Sequence, residues 1–585
     1  MENDNKYVNN IEDNIEEYTE PQDTDALYED YEERDDSYIP EVPEGSSAAS
    51  TLMKGATILA IAGILSKVFG AIFRIPLTNM IGAEGQSYYG AAYPVYQFFY
   101  VISSAGFPVA ISRMVAKRVA KGDYINADKS YKLALKAMMV IGVISFAICF
   151  FGAGFIAGGM IKNPGAEASI RAISIALLFT PIAGSLRGYF QGHQIMTPTA
   201  TSQVIEQIIR VCVGLALAYM FFRTSLEYAA AGATFGATAG TIAATLVLIF
   251  IYIRNKPTRE VHRRKSAIVE ETGRERFREL IDIVIPITIG SSILPLMMII
   301  DAAVVMRRLQ ATGWDLSMSK TLYGLISGYC DPLVNLPVVF IDAIAISLLP
   351  AITTAFTLKR KTDIDGHIKT GLKTMMVITY PCAVGLIVLA GPILHLLYPT
   401  KPDEADLAIH TLQILAVSII TLAIMRTLST SLQGIGKMAL PVVNLFIGSV
   451  IKIIVTYILT GIPALNINGA AIGSVMAYLS AGILNYRGLR KYADVDLDLK
   501  DIFIRPLYAS LIMGASAIAV YKLVYMVHPG NVTATGIAII AAIFVYFVMV
   551  FLTGAVTREE LSLVPKGDLI YNIAVRMHLA RDRQN

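Results

Sequence analysis

Residues 58–77 read ILAIAGILSKVFGAIFRIPL, a run apolar enough to enter a bilayer that nevertheless carries two cations, Lys67 and Arg74. Gly63, Lys67, Gly70 and Arg74 follow one another at intervals of four, three and four. At 3.6 residues per turn they share one helical face. A Lys or Arg at the centre of a membrane helix costs about 2.5–3.5 kcal/mol on insertion scales, so two on one stripe call for a polar cavity, a partner or snorkelling. The glycines leave room for another backbone or a ligand to approach. A cationic, glycine-lined stripe points to an anionic substrate. Snorkelling is the competing reading, stronger for Arg74, which lies near the end of its span.

The remainder of the chain fits a membrane setting. Of 585 residues 54% are hydrophobic and 16% charged, and apolar runs of about twenty residues recur throughout. This composition indicates an all-α polytopic membrane protein rather than a string of soluble domains. Fourteen spans are expected, near 55–75, 88–112, 133–160, 168–190, 197–222, 229–253, 280–305, 321–354, 372–397, 407–431, 439–460, 468–486, 506–527 and 534–556. Lys and Arg crowd into alternate connections: nine fall between Arg254 and Arg278, none between the first two spans. The positive-inside rule then puts both termini in the cytoplasm, in agreement with an even span number.

Residues 1–50 hold 17 Asp and Glu against Lys6 and Arg34, and without a basic start or apolar core they are not a cleavable signal peptide. They read as a disordered acidic cytoplasmic tail. Cys149, Cys212, Cys330 and Cys382 all fall in apolar runs without metal-ligand spacing. Basic residues spread over loops give no nucleic-acid surface, and no Walker loop or zinc pattern is present. The chain is therefore read as a non-enzyme with no cofactor.

Two groups of six spans look like copies. Gln191–Gly192, Pro198, Arg210 and Gly232 to Gly236 recur in order as Gln433–Gly434, Pro441, Lys452 and Gly469 to Gly473, while Ala110-Ile111-Ser112 parallels Ala345-Ile346-Ser347. An even number of spans per copy keeps both in the same orientation, and two such bundles form a central cleft suited to alternating access.

Lys67, Arg74, Arg210, Arg426, Lys452 and Lys522 are the basic residues weighed inside spans, and Glu206, Asp301, Asp331 and Asp342 the acidic ones. Glu206 and Arg210, four apart, can pair along one helix. Asp331, Asn335 and Asp342 share a face if span 8 is regular, but Pro332 and Pro337 argue for a break. An acid-bearing broken helix opposite a cationic one makes either a gate held by ion pairs or a structural clamp. Asp301, in ILPLMMIIDAAVV, is a candidate cation or proton site whose alternative is an interhelical salt bridge.

The segments LSKVFGAIFRIPLTNMIGAEGQSYYG, GYFQGHQIMTPTATSQVIEQIIR and GYCDPLVNLPVVFIDAIAISLLPAI resemble the lipid II flippases of the MurJ kind. Within that kind they more closely resemble the Gram-positive branch that includes YtgP and the stage V sporulation protein B group. The resemblance covers about residues 52–556. It implies two six-helix lobes in a V, with spans 13 and 14 added as a groove for a polyprenyl tail. The corresponding units are an acidic tail at 1–50, an N-lobe at 51–254, a basic loop at 255–278, a C-lobe at 279–491, the groove at 492–556 and a cytoplasmic tail at 557–585.

The resemblance further implies a cationic cavity for the substrate pyrophosphate, with Lys67 and Arg74 matching two basic positions of the family's first helix and lipid entering between spans 1 and 8. Some members bind sodium between spans 7, 11 and 12, and Asp301 and Asn444 are the matches here. The Gram-negative pattern has an Arg after the span 8 Asp, whereas here Pro332 follows Asp331. The expected function is a cell-membrane flippase carrying lipid II from the inner to the outer leaflet for cell-wall synthesis. Lys67, Arg74, Arg210, Gly63 and Gly70 would bind substrate; Asp331, Asn335 and Asp342 would gate or couple. Its partners would be the lipid-linked glycan, membrane lipids and the cell-wall synthesis machinery. The alternatives are a flippase for a capsule or spore-cortex precursor and a MATE-like cation/drug antiporter.

Overall fold

The computed structural model describes residues 48–256, 260–261, 266, 271–495, 500–556 and 575. The acidic segment through residue 47, parts of the basic loop and nearly all of the C-terminal tail lie outside the described residues. The chain divides into two units, Met1–Lys54 and Gly55–Asn585. Of the first, only the helical backbone of residues 48–54 is described. The described residues of the second are helical almost throughout, with no strand among them.

Twelve helical segments among the described residues are long and apolar enough to cross a membrane. The first, Thr57–Val119, runs 63 residues, several times the roughly 20 that a crossing needs. Large side chains such as Phe151, Met526 and Val527 are 78–82% exposed on the helix surfaces, tolerable only in lipid. The protein is a multi-span membrane protein.

Helix α1 (Ala48–Ser104) carries the cationic stripe and bends at Gly82, where φ is 63° and ψ −171°. The sequence reading placed a connection between spans 1 and 2. Instead, helix continues on both sides of that one residue, because a positive φ at glycine turns the chain without a loop. Helices α2 (Gly106–Val119), α3 (Tyr124–Phe151), α4 (Glu167–Ser174), α5 (Ala176–Gly192), α6 (Thr197–Phe222) and α7 (Leu226–Arg254) complete the first group. The second comprises α8 (Gly273–Ala311), α9 (Leu316–Gly324), α10 (Asp331–Thr357), α11 (Lys361–Val388), α12 (Ala390–Leu397), α13 (Pro402–Gly434), α14 (Ala439–Thr460) and α15 (Asn468–Ala493). Helices α16 (Arg505–Val527) and α17 (Asn531–Leu552) pack on each other, and α16 also lies against α11.

Within the first group α2 packs on α3 and α5, and α7 on α4, α5 and α6; within the second α13 packs on α10, α11 and α15, and α14 on α8 and α15. Glycines set the same register in both. A Cβ on Gly232 would meet Leu217 at 2.9 Å, and one on Gly236 the Arg210 carbonyl at 2.6 Å. Correspondingly, a Cβ on Gly469 would meet Leu459 at 2.6 Å and one on Gly473 the Lys452 carbonyl at 3.1 Å. In each pair the second helix presses glycine onto the backbone of the intramembrane cation, an approach that only a missing side chain allows.

The two groups also touch at both ends. At the end bearing the basic connections, Gly106 of α2 abuts the Val284 carbonyl of α8, and the buried Arg118 donates to Glu271 (2.7 Å) and Glu279 (2.8 Å). Lys117 adds a second bond to Glu279 at 3.0 Å. At the opposite end α1 beyond its bend meets α9 and the turn after it. A Cβ on Gly324 would lie 1.7 Å from the Ala83 carbonyl, and one on Gly328 2.5 Å from Gln86.

Candidate functional site

The stripe on α1 reaches into the second group of helices. Lys67 Nζ pairs with Asp342 of α10, whose other oxygen accepts from Arg426 Nε of α13 at 3.2 Å. Lys67 is 46% and Arg426 48% exposed, so this triad is not sealed in the core. One turn further along the stripe lies Gly70, and one turn before Lys67 lies Gly63. A Cβ on either would meet nothing within 4 Å. The close backbone approach expected at these glycines is absent; they face open space beside the cation.

Arg74 turns to the backbone of the π-helical turn Leu325–Cys330, donating to the Ser327 carbonyl at 2.7 Å. The chemistry of that turn follows from Pro332. A proline has no N–H to give the carbonyl four residues earlier, which here is Gly328. The freed Gly328 carbonyl accepts from Thr78 and Tyr398 hydroxyls, each at 3.2 Å. Pro332 thus marks a break, as the sequence suggests, but the break is a widened turn between α9 and α10 and not a gap. Pro337 sits inside α10 with helix on both sides.

Arg210 of α6 donates to the Tyr89 hydroxyl at 2.6 Å and lies over the rings of Tyr93 and Phe73 at 5.5 and 5.9 Å. Arg74 stacks over the same Tyr89 at 5.6 Å, so one tyrosine connects the two guanidinium groups. The expected pairing of Glu206 with Arg210 is not what forms. Glu206 accepts from Arg187 of α5 at 2.8 Å, a residue inside the expected span 168–190 that the sequence reading missed, while Arg210 turns to the aromatic side. Tyr89, Tyr93, Tyr96 and Tyr100 make a continuous row, with successive centroids 5.8–6.4 Å apart. Their spacing of four, three and four repeats that of the cationic stripe, and it was the signal available for finding them.

The three acidic-helix candidates separate. Asp342 takes Lys67 and Arg426, Asn335 is exposed, and Asp331 lies within electrostatic reach of Arg74, Lys452 and Asp301. Asp301 of α8 pairs with Lys452 of α14 at 2.9 Å, the salt-bridge alternative. Asn444 is occupied elsewhere: it donates to Asn485 at 2.8 Å, which donates in turn to Ser429 at 2.8 Å. Asp301 and Asn444 therefore fall in separate polar clusters, and among the described residues no three His, Cys, Asp or Glu gather as metal ligands.

Sequence reading also missed Glu404 of α13. The bend at Gly82 strips the Ala83 N–H of its helical acceptor, and Glu404 Oε2 takes it at 2.7 Å while also accepting from the Tyr329 hydroxyl. Beside it, Lys320 of α9 donates to Glu84 at 3.2 Å and to the Tyr88 hydroxyl at 2.9 Å.

Comparison with known proteins gives a consistent family. The chain is 29% identical over 463 residues to the lipid II flippase MurJ of Bacillus subtilis (strain 168), an alignment covering 76% of this chain and 84% of that one. It is 26% identical to stage V sporulation protein B of the same organism, covering 88% and 98%. Among solved structures, the inward closed conformation of lipid II flippase MurJ matches with a TM-score of 0.62 at 17% identity over 84% of this chain and 98% of that one. An inward-facing multidrug resistance MATE transporter of the MOP superfamily matches with 0.63 at 15%, over 73% and 94%. These two show a shared fold. A MatE profile matches residues 327–458, and the profile described as polysaccharide biosynthesis protein matches residues 52–356, more than half the chain. The chain belongs to the polysaccharide biosynthesis protein family.

Proposed function

We propose that this protein is a flippase for a lipid-linked glycan, and specifically that it carries undecaprenyl-pyrophosphate-linked peptidoglycan precursor, lipid II, from the inner to the outer leaflet. The observation that carries this reading is the Lys67–Asp342–Arg426 triad, half exposed on helices from both groups, with Arg74 and Arg210 beyond it. A pyrophosphate is the anion whose charge and multiple oxygens suit several converging cations. The likeness to a lipid II flippase across most of the chain supports the same substrate.

In this account the α1–α7 and α8–α15 groups are two lobes around a cleft, α16 and α17 hold the polyprenyl tail, and fourteen spans place both termini in the cytoplasm. Substrate displaces Asp342 from Lys67 and Arg426, so the resting ion pairs keep the cations positioned until an anion arrives. Movement of each net negative charge outward, down an inside-negative potential, is favourable by about 2.3 kcal/mol per 100 mV. Asp331 and Asp342 link binding to closure, since each faces cations from more than one helix.

The likeness to a sporulation protein over 88% of the chain favours, as a second reading, a related polyprenyl-linked glycan. Reconstitution separates the two: protein in liposomes should flip fluorescent lipid II in preference to polyprenyl-pyrophosphate sugars lacking the peptide. Equal rates for both would favour the second reading, and flipping of neither would sink the flippase account.

A further inference from the structure

The family likeness raises a sodium site at Asp301 and Asn444, and the residues present do not fit one. Asp301 Oδ2 is 2.9 Å from the ammonium of Lys452, and Asn444 spends its amide on Asn485. A hard cation needs a shell of oxygens, and Asp301 brings one carboxylate already bound to a positive charge. Its second oxygen, Oδ1, is buried without a hydrogen-bond partner. A sodium ion there would sit beside the Lys452 ammonium in a low-dielectric interior, where like charges repel strongly.

The charge balance points the same way. Asp331 lies within electrostatic reach of Arg74 and Lys452 as well as Asp301, so the Asp301–Lys452 pair is not an isolated charge pair. The Asp301–Lys452 pair is neutral without any ion. A bound sodium would leave one excess positive charge inside the bilayer. Lys452 is held in place by Gly473 of α15, pressed onto its carbonyl, in the register that holds Arg210 in the first group.

We infer that Lys452 is a tethered counter-cation for Asp301, taking the place of a bound sodium ion, so that this protein folds and cycles without sodium and would acquire a sodium requirement if the ammonium were removed. The inference concerns an ion and needs no assumption about the glycan.

The test is thermal unfolding of the purified full-length protein in sodium, potassium and choline chloride at matched ionic strength. The wild-type Tm should be the same in all three. Lys452→Gln should be less stable in potassium and choline and regain Tm selectively in sodium, and adding Asp301→Asn should abolish that gain. A sodium-specific rise in the wild-type Tm that Asp301→Asn removes would overturn the inference, as would a folded Lys452→Gln protein equally stable in sodium and potassium. If Lys452→Gln does not fold in any salt, the wild-type comparison decides: indifference to sodium supports the tethered cation and a sodium-specific shift refutes it.

Discussion

Lys67 on α1 is paired with Asp342 on α10, 275 residues away, and Arg426 on α13 holds the other oxygen of the same carboxylate. Three helices from the two groups therefore meet at one acid. At this exposure the pairs contribute little to folding, about 0–1 kcal/mol each. On the proposed function they hold the cations that bind the substrate anion, so Asp342→Ala should change Tm slightly and transport greatly. The charge-reversed pair Lys67→Asp with Asp342→Lys should recover stability but not transport, measured by thermal unfolding beside a liposome flipping assay. Recovery of both would make the pair a clamp with no part in binding.

Gly324 has no room for a methyl group, since a Cβ would fall 1.7 Å from the Ala83 carbonyl. Overpacking of this kind costs about 1–3 kcal/mol. The expense falls on the contact between α1 and α9, so Gly324→Ala should part the two helix groups at that end rather than unfold either. A cysteine placed at Gln86, buried in the wild type, should then react with a membrane-impermeant maleimide.

The matched registers at Gly236 and Gly473 make a paired prediction. Gly236→Ala would drive a methyl against the Arg210 carbonyl, and Gly473→Ala against Thr456 and the Lys452 carbonyl. Each should lower stability by about 1–3 kcal/mol in detergent unfolding. Gly366→Ala, where a Cβ meets nothing within 4 Å, should be close to neutral and serves as the control.

Arg118 is 3% exposed and donates to both Glu271 and Glu279, joining α2 to the start of α8. Hydrogen bonds to charged groups contribute about 1.5–3 kcal/mol. Arg118→Ala should widen the spin-label distance between the ends of α2 and α8 and populate a state open at that end. An unchanged distance distribution would show that apolar contacts around Gly106 hold that end by themselves.

The apolar periodicity made the helices legible, and the ends of α6 and α14 at Thr197–Phe222 and Ala439–Thr460 match the expected spans residue for residue. The polar run TNMIGAEGQS at 78–87 reads as a connection, and nothing in it tells that helix continues on both sides of one positive-φ bend at Gly82. At the site, Lys67 and Arg74 could be read because charge inside an apolar run is rare. Their partners could not, since Asp342 is 275 residues from Lys67 and spacing along one helix says nothing about another. The same limit produced the Glu206–Arg210 error: an i,i+4 pair was available, but Arg187 from α5 competes for the carboxylate and the Tyr89 hydroxyl for the guanidinium.

The most direct test of the account is lipid II exposed on the outer leaflet, measured with an impermeant labelling reagent while the protein is depleted and then resupplied. The account predicts that exposed lipid II falls on depletion and accumulates inside, that wild-type protein restores it, and that Lys67→Ala and Arg74→Ala do not. Unchanged exposure on depletion, or full restoration by both variants, would contradict it.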